Sequence, residues 1–277
     1  MQLSGAAWSF VGASLRESRD VYRALGIDAI DILAAPGFLL DPVRIIQDPV
    51  GEARQLAALQ TSIANLIFLF APDFSQRALN HRKPQIRARN IQEFCAVAEF
   101  CRRASIPSVT VVPGVEQEGW SREKSLAVSA EALNEFASIA TSRGVVLLFE
   151  AHVSSVLESP QETLSFLENN PQLKLTLDYS HFVFNGHSQE AIDVLTPYAR
   201  HVHLRQAAPR VLQARWNDGK IDFVKVVEKL IEVKYKGYLT LEYEHDAWLD
   251  SDRLDVATET IKMRNIVSPM IRELGRA

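Results

Sequence analysis

Eight short apolar runs, each followed by a longer stretch with helical periodicity, recur along the whole 277-residue chain. The runs are Gln2 to Phe10, Asp28 to Leu33, Ile63 to Phe70, Ser108 to Val112, Val145 to Phe149, Leu173 to Leu177, His201 to Leu204 and Tyr238 to Leu241. Their starts lie roughly 25 to 45 residues apart, which is the length that a strand, a loop, a helix and a return loop require. Eight parallel strands joined by right-handed crossovers close into a (β/α)8 barrel, and about 250 residues plus a terminal helix is the usual size of that fold. A doubly wound sheet is the competing architecture. It has fewer strands, and a dinucleotide-binding member carries a G-x-G-x-x-G turn after the first, whereas Gly12 stands alone here.

The helical stretches carry their own punctuation. Asp41-Pro42 sets a capping carboxylate before a proline at the first helical position, and Ser159-Pro160 repeats the arrangement with Glu162 three residues after the serine. Ser121 opens a helix that closes at Arg143-Gly144, Pro84 lies near the start of the helix containing Cys95 and Cys101, and Ile221 to Lys236 is expected to end at Gly237. No Gly/Ser/Pro-rich linker divides the chain, so residues 1–277 are expected to form one TIM barrel domain.

Composition narrows the partners. Acidic residues outnumber basic ones for a net charge of -4, with no long basic run, which disfavours a surface that tracks nucleic-acid phosphates. There is no apolar run near 18 residues and no basic-then-apolar leader after Met1, so neither a membrane span nor a signal peptide is expected, and the cytoplasm is the expected compartment. Cys95 and Cys101 lie about 9 Å apart along one helix and point in different directions, which argues against a disulfide.

Strand parity locates the chemistry. In a barrel, alternate residues of each strand face inward, and the active site is built at the strands' C-terminal ends. Leu175 and Leu177 share the outward parity, leaving Lys174, Thr176 and Asp178 inside; Val202 and Leu204 go outward, leaving His201, His203 and Arg205 inside. The same rule brings Val146, Leu148, Glu150 and His152 into one set, and Tyr238, Thr240, Glu242 and Glu244 into another. Any one of these groups alone is an ordinary barrel-end polar residue. Together, Glu150, Asp178, His203 and Glu242 put three carboxylates and an imidazole at one mouth, where repulsion and desolvation demand a neutralising cation. Oxygen ligands with a single nitrogen suit Mn2+, Mg2+ or Co2+, with Zn2+ also compatible.

These residues sit in stretches that resemble the sugar isomerases and epimerases with a xylose isomerase-like barrel. The resemblance spans essentially the whole chain and is carried by Leu148-Phe149-Glu150-Ala151-His152, Leu177-Asp178-Tyr179-Ser180-His181, His201-Val202-His203-Leu204-Arg205, Gly219-Lys220-Ile221-Asp222-Phe223 and Gly237-Tyr238-Leu239-Thr240-Leu241-Glu242. It implies that Glu150, Asp178, His203 and Glu242 bind one metal, most often manganese, and that His181 and Arg205 touch substrate. One departure stands out: Arg205 is followed by Gln206-Ala207-Ala208-Pro209-Arg210, where many relatives continue with a basic and then an acidic residue. Relatives are often dimers or tetramers, which makes a homo-oligomer an expectation of the same kind.

The expected chemistry is proton removal beside a carbonyl, with a metal-stabilised enediolate, on a small sugar or sugar-derived hydroxy-ketone. Glu150 and Glu242, on strands separated by two others, are the expected catalytic pair, one removing the proton and the other returning it. A lyase or dehydratase on a keto-sugar is the alternative, because the same intermediate can expel a neighbouring leaving group. A non-catalytic sugar-binding subunit is a further alternative, disfavoured by the intact ligand set. A related barrel family cleaves damaged DNA with three zinc ions and extra histidines on earlier strands; here strand 3 ends Phe70-Ala71-Pro72-Asp73, without one.

Other residues are weighed more evenly. His152 and Glu244 either support the ligands or are merely wet, while His201 is read as a buried, hydrogen-bonded residue. Trp8, Phe38, Trp120 and Trp248 either wall the mouth or pack elsewhere. Arg210, Arg215 and Lys220 mark the long loop after strand 7, as an anion site or as a solvated loop.

Overall fold

The computed structural model describes residues 1–245 and 253–274; Trp248 lies outside the described residues. Eight parallel strands close into a barrel in chain order, each paired with its sequence neighbours and the last with the first. The strands are β1 (Gln2–Ala6), β2 (Ala29–Ala34), β3 (Ser62–Phe68), β4 (Ser108–Val111), β5 (Val146–Glu150), β6 (Lys174–Asp178), β7 (Ala199–Leu204) and β8 (Tyr238–Leu241). Around them run α1 (Leu15–Ala24), α2 (Pro42–Gln47), α3 (Pro49–Ala57), α4 (Pro84–Arg103), α5 (Arg122–Thr141), α6 (Pro160–Asn169), α7 (Tyr179–Phe184), α8 (Gln189–Asp193), α9 (Phe223–Glu232) and α10 (Val256–Leu274). The (β/α)8 expectation therefore holds.

Two boundaries differ from the sequence expectation. The first apolar run extends to Phe10, but β1 ends at Ala6 and Ala7–Ser9 turn into a short 3-10 helix. Trp8 and Phe10 are apolar because they line a cavity at the barrel mouth, so the run outlasts the ladder. The second case is α9, which ends at Glu232 rather than Lys236, with Lys234 in the left-handed region at φ 57°. Gly237 has a packing role instead: an added Cβ would lie 2.5 Å from the Arg200 carbonyl oxygen and closer still to the Tyr235 hydroxyl.

The caps mostly follow the sequence. Asp41 accepts from the Val43 amide with Pro42 in the first turn, Ser121 accepts from Lys124, and Gly144 takes φ +70° after α5. The capping arrangement expected at Ser159 is absent. Its hydroxyl donates to Gln161 Oε1, and Glu162 turns away to a bidentate pair with Arg122 at 2.6 and 2.7 Å, tying α6 to the start of α5. Both cysteines lie on α4 and are free.

Outward strand residues such as Ile30, Ile32, Leu175, Leu177, Val202, Leu204 and Leu239 are fully buried in the layer between strands and helices. The barrel interior, by contrast, is markedly polar. Ser108 donates to Asn65, Asn65 to Thr110, and Thr110 pairs with Thr176 at 2.7 Å; across the barrel Ser4 pairs with Thr240 at 2.7 Å and donates to Asp31 at 3.2 Å. Each group is buried and has a partner, which offsets the cost of removing it from water.

Candidate metal centre and catalytic pocket

The parallel register sets the site. Glu150 pairs with Thr176 and Asp178 with His203, while the Glu242 amide donates to the Leu204 carbonyl at 3.0 Å, so Glu242 continues the β7–β8 ladder one residue beyond β8. Four adjacent strands thereby raise Glu150, Asp178, His203 and Glu242 to one level at the C-terminal mouth. All four are buried. His203 Nδ1 stands 2.9 Å from Glu150 Oε1 and 3.1 Å from Glu242 Oε2, and a ligand atom of Asp178 lies within 4.8 Å of those of Glu150 and His203.

The angles matter as much as the distances. Glu150 Oε1, Glu242 Oε2 and His203 Nδ1 are buried and close, yet none has a partner in hydrogen-bonding geometry. Buried carboxylate oxygens and an imidazole nitrogen left without partners are what a cation can satisfy, and an oxygen-rich set with one imidazole matches a hard or borderline divalent ion. The residues therefore fit a metal.

Without a cation the electrostatics are strained. Burial favours neutral His203, but the Glu242 and Glu150 carboxylates outweigh it and push the imidazole well above its ordinary value. Burial raises Asp178, against the pull of Arg205. Burial works the same way on Glu242, but there His203 and Arg205 prevail and the carboxyl lies below its usual range.

Arg205, one residue past β7, binds this cluster together. Its Nε donates to Ser180 Oγ at 2.9 Å, Nη1 to Glu244 at 2.8 Å and Nη2 to Asp178 at 3.1 Å, with His181 Nε2 also 3.2 Å from Nη2. His181 sits on α7, the helix that Asp178 itself caps by accepting from the Ser180 amide. Burial, then His152 and Arg205, hold His181 well below the ordinary histidine range, so it is neutral. Its ring packs against His152 with centroids 3.9 Å apart.

A cavity of about 700 Å³ opens above these groups. Its lining includes Glu150, His152, His181, Arg205, Glu242 and Glu244, with Trp8 and Phe38 on the wall. Trp120 is not among its lining residues and instead carries Lys124 Nζ 4.5 Å from its ring centre. Arg210, Arg215 and Lys220 are exposed on the loop after β7 and outside the lining, with Arg210 over the Phe184 ring.

Parity read only on the last four strands misses Asp31. This fully buried carboxylate on β2 accepts from His201 Nε2 at 2.6 Å and stands 3.4 Å from His203 Nε2, on the side of that ring away from Glu150. His201 also meets the Thr240 hydroxyl at 2.8 Å. The signal is present in the sequence, since an aspartate interrupts the apolar segment Ala29–Ala34 with the parity of Leu33, which lines the cavity.

The sequence from residue 20 to residue 265 matches the family described as xylose isomerase-like TIM barrel. The chain belongs to this family. An inosose dehydratase of Clostridium perfringens is 27% identical over 140 residues, covering 42% of this chain and 46% of that protein, so the chain spans about half the length of such curated relatives. Among solved structures, an L-ribulose 3-epimerase superposes with a TM-score of 0.75 at 18% identity, covering 100% of this chain and 96% of that one. A D-allulose 3-epimerase from Methylomonas sp., solved with D-allulose, gives 0.71 at 20% identity, covering 96% of each chain. At such identities the likeness establishes the fold of this xylose isomerase-like barrel. Among its described residues no helix is long and apolar enough to cross a membrane.

Proposed function

We propose that this barrel is a divalent-metal-dependent isomerase or epimerase of a small sugar or sugar-derived hydroxy-ketone. The observation that carries the reading is the convergence of Glu150, Asp178, His203 and Glu242, with buried ligand atoms of Glu150, His203 and Glu242 left unmatched, beside a cavity of about 700 Å³. Cavities of that order accommodate small organic ligands.

Glu150, Asp178, His203 and Glu242 are the residues that would hold the ion. When bound, a divalent cation supplies charge stabilisation to substrate oxygens as the neighbouring carbon loses its proton. Mn2+ is the first choice, with Mg2+, Co2+ and Zn2+ as alternatives.

The chain's own groups account for the proton. Glu150 and Glu242 reach the cavity from β5 and from the end of β8, with β6 and β7 between them. One carboxylate removes the proton next to the carbonyl and the other returns it; an epimerase delivers it to the opposite face, and an isomerase to the adjacent carbon. Neutral His181 is assigned a hydrogen bond to a substrate hydroxyl. Arg205 lines the same cavity and is assigned to an oxygen-rich end of the substrate, while its bonds to Asp178 and Glu244 keep the carboxylates oriented.

A dehydratase is the second reading, favoured by the sequence relatives, which are inosose dehydratases. After the same proton removal, the carbon–oxygen bond of a neighbouring hydroxyl breaks, and the hydroxyl leaves as water with a proton from the site. Incubation of the Mn2+-loaded protein with ketoses and cyclic keto-sugars in D2O separates the two. Isomerisation or epimerisation gives a product of unchanged formula carrying solvent deuterium at carbon, while dehydration gives a product lighter by one water. Neither product nor exchange across both substrate sets would contradict the assignment.

A further inference from the structure

Strand β8 ends at Leu241, and the backbone beyond it has to find partners outside the barrel ladder. The Glu242 N–H still reaches the Leu204 carbonyl at the end of β7. Two residues later, Glu244 bonds instead to a side chain. Gln213, on the loop after β7, accepts from the Glu244 N–H through Oε1 at 2.8 Å and donates from Nε2 to the Glu244 carbonyl at 2.8 Å. A side-chain amide carries the same donor and acceptor as a peptide group, so buried Gln213 stands in for the opposite residue of a hydrogen-bonded strand pair.

The loop that carries Gln213 is itself fastened on both sides. The Arg210 N–H bonds to the Phe184 carbonyl at 2.9 Å, and Leu212 packs with Phe184 and Val153, which ties the loop to α7 and to the segment after β5. Towards β8, the Tyr243 hydroxyl accepts from the Gln206 N–H at 3.2 Å and donates to the Ala214 carbonyl at 3.3 Å. At the loop's far end Gln206 and Gln189 repeat the two-bond amide clamp, on the backbones of Ile221 and Asp222. The loop is thus a fixed bridge between α7 and the end of β8. Those two elements carry acceptors of Arg205: Ser180 on α7 and Glu244 beyond β8.

We infer that Gln213 is a positioning residue for the metal centre, acting through Glu244 and Arg205. This deepens the proposed function and rests on its assignment of Asp178 to the ion. Gln213 is not among the residues that line the catalytic cavity, whereas Glu244 and Arg205 both are. Fixing the Glu244 main chain at its N–H and its carbonyl fixes where its carboxylate stands, and that carboxylate holds Arg205 Nη1 at 2.8 Å. The same guanidinium holds Asp178 Oδ2 from Nη2 at 3.1 Å. Because the guanidinium is a planar fork, a shift at Nη1 carries Nη2 with it, and the Asp178 carboxylate follows.

The test is titration of Mn2+ into the metal-free protein, in wild type, Gln213→Met, Glu244→Ala and the double variant, with Gln189→Ala as a control that removes the same kind of clamp from the loop's far end. Partners that orient metal ligands change affinity by about 10–100-fold, and Gln213 acts one step further out, so Gln213→Met is expected to weaken Mn2+ binding by about 3–10-fold. In the Glu244→Ala background the same substitution should add less than about 2-fold, because residues acting in series are not additive. Gln189→Ala should bind as wild type does. Gln213→Asn keeps an amide in the buried position but shortens its reach, and it gives the same reading if the methionine variant does not fold. Unchanged Mn2+ affinity in a folded Gln213 variant overturns the inference and leaves the proposed function standing. Equal weakening with and without the Glu244 carboxylate, or in Gln189→Ala, assigns the loss to general loosening of the loop and overturns it too. No Mn2+ uptake by wild type overturns the proposed function, and this inference with it.

Discussion

Asp31 Oδ2 and His203 Nε2 are 3.4 Å apart, on the side of the imidazole opposite the one that faces Glu150 and Glu242. A carboxylate there favours the Nε2–H tautomer and leaves the Nδ1 lone pair for a metal, as supporting partners of ligating histidines commonly do. Although burial raises the Asp31 carboxyl, His201 and then His203 bring it down to about 2, so it is ionised. Asp31→Asn is expected to weaken divalent-metal affinity by about 10–100-fold, read by titrating the metal-free protein. Unchanged affinity would remove Asp31 from the account.

Metal binding should also release a proton. In the metal-free protein burial favours neutral His203, but the Glu242 and Glu150 carboxylates outweigh it and shift the ring well above its ordinary value, towards the protonated form, whereas ligation of Nδ1 requires the neutral form. For a group with a raised folded-state value, the stabilisation is present below the unfolded value and is lost as pH rises through the folded one. Affinity for the ion is thus expected to increase with pH above neutrality. Calorimetry in buffers of different ionisation enthalpy at pH 7 reads the release directly; a binding enthalpy independent of buffer would speak against it.

Glu150→Gln and Glu242→Gln each remove a proton-transfer group while preserving shape. Turnover and solvent-deuterium incorporation are both expected to fall by at least about 100-fold, the lower end of what a positioned general base contributes. Near-normal turnover in Glu150→Gln would sink its assignment.

Arg205 is buried and shared among Ser180, Asp178 and Glu244. Removing one partner from a buried charge network typically costs about 3–5 kcal/mol, and Arg205→Ala is expected to fall in that range by denaturant titration of the metal-free protein. Arg205→Lys should recover part of this, because a point charge cannot serve three acceptors set by a planar fork. A loss below about 1 kcal/mol, the level of exposed pairs, would show that the network contributes little.

The barrel and most of its mouth are legible in the amino-acid sequence. The spacing of the apolar runs predicts the barrel, and period-two alternation on β5 to β8 groups Glu150, Asp178, His203 and Glu242, because a strand's inward face is fixed by which neighbours must be apolar. Asp31 escapes because parity is applied only to β5 to β8, although its position between Ile30 and Ile32 gives it the inward parity. The Ser4–Thr240 and Thr110–Thr176 pairs are illegible for a different reason. Each joins residues far apart in the chain, and only barrel closure and register bring them together. Ser159 shows the limit of local signals: a tertiary ion pair with Arg122 takes the Glu162 side chain that a local cap would have used.

The most direct test of the account is the metal content of protein purified without chelator, compared with that of Asp178→Ala and His203→Ala. The account predicts about one divalent ion per wild-type chain, as expected for a single-metal site, and its absence from both variants. No bound ion in wild type, together with no uptake when Mn2+, Mg2+, Co2+ or Zn2+ is titrated into it, would contradict the assignment of these four residues as a metal centre.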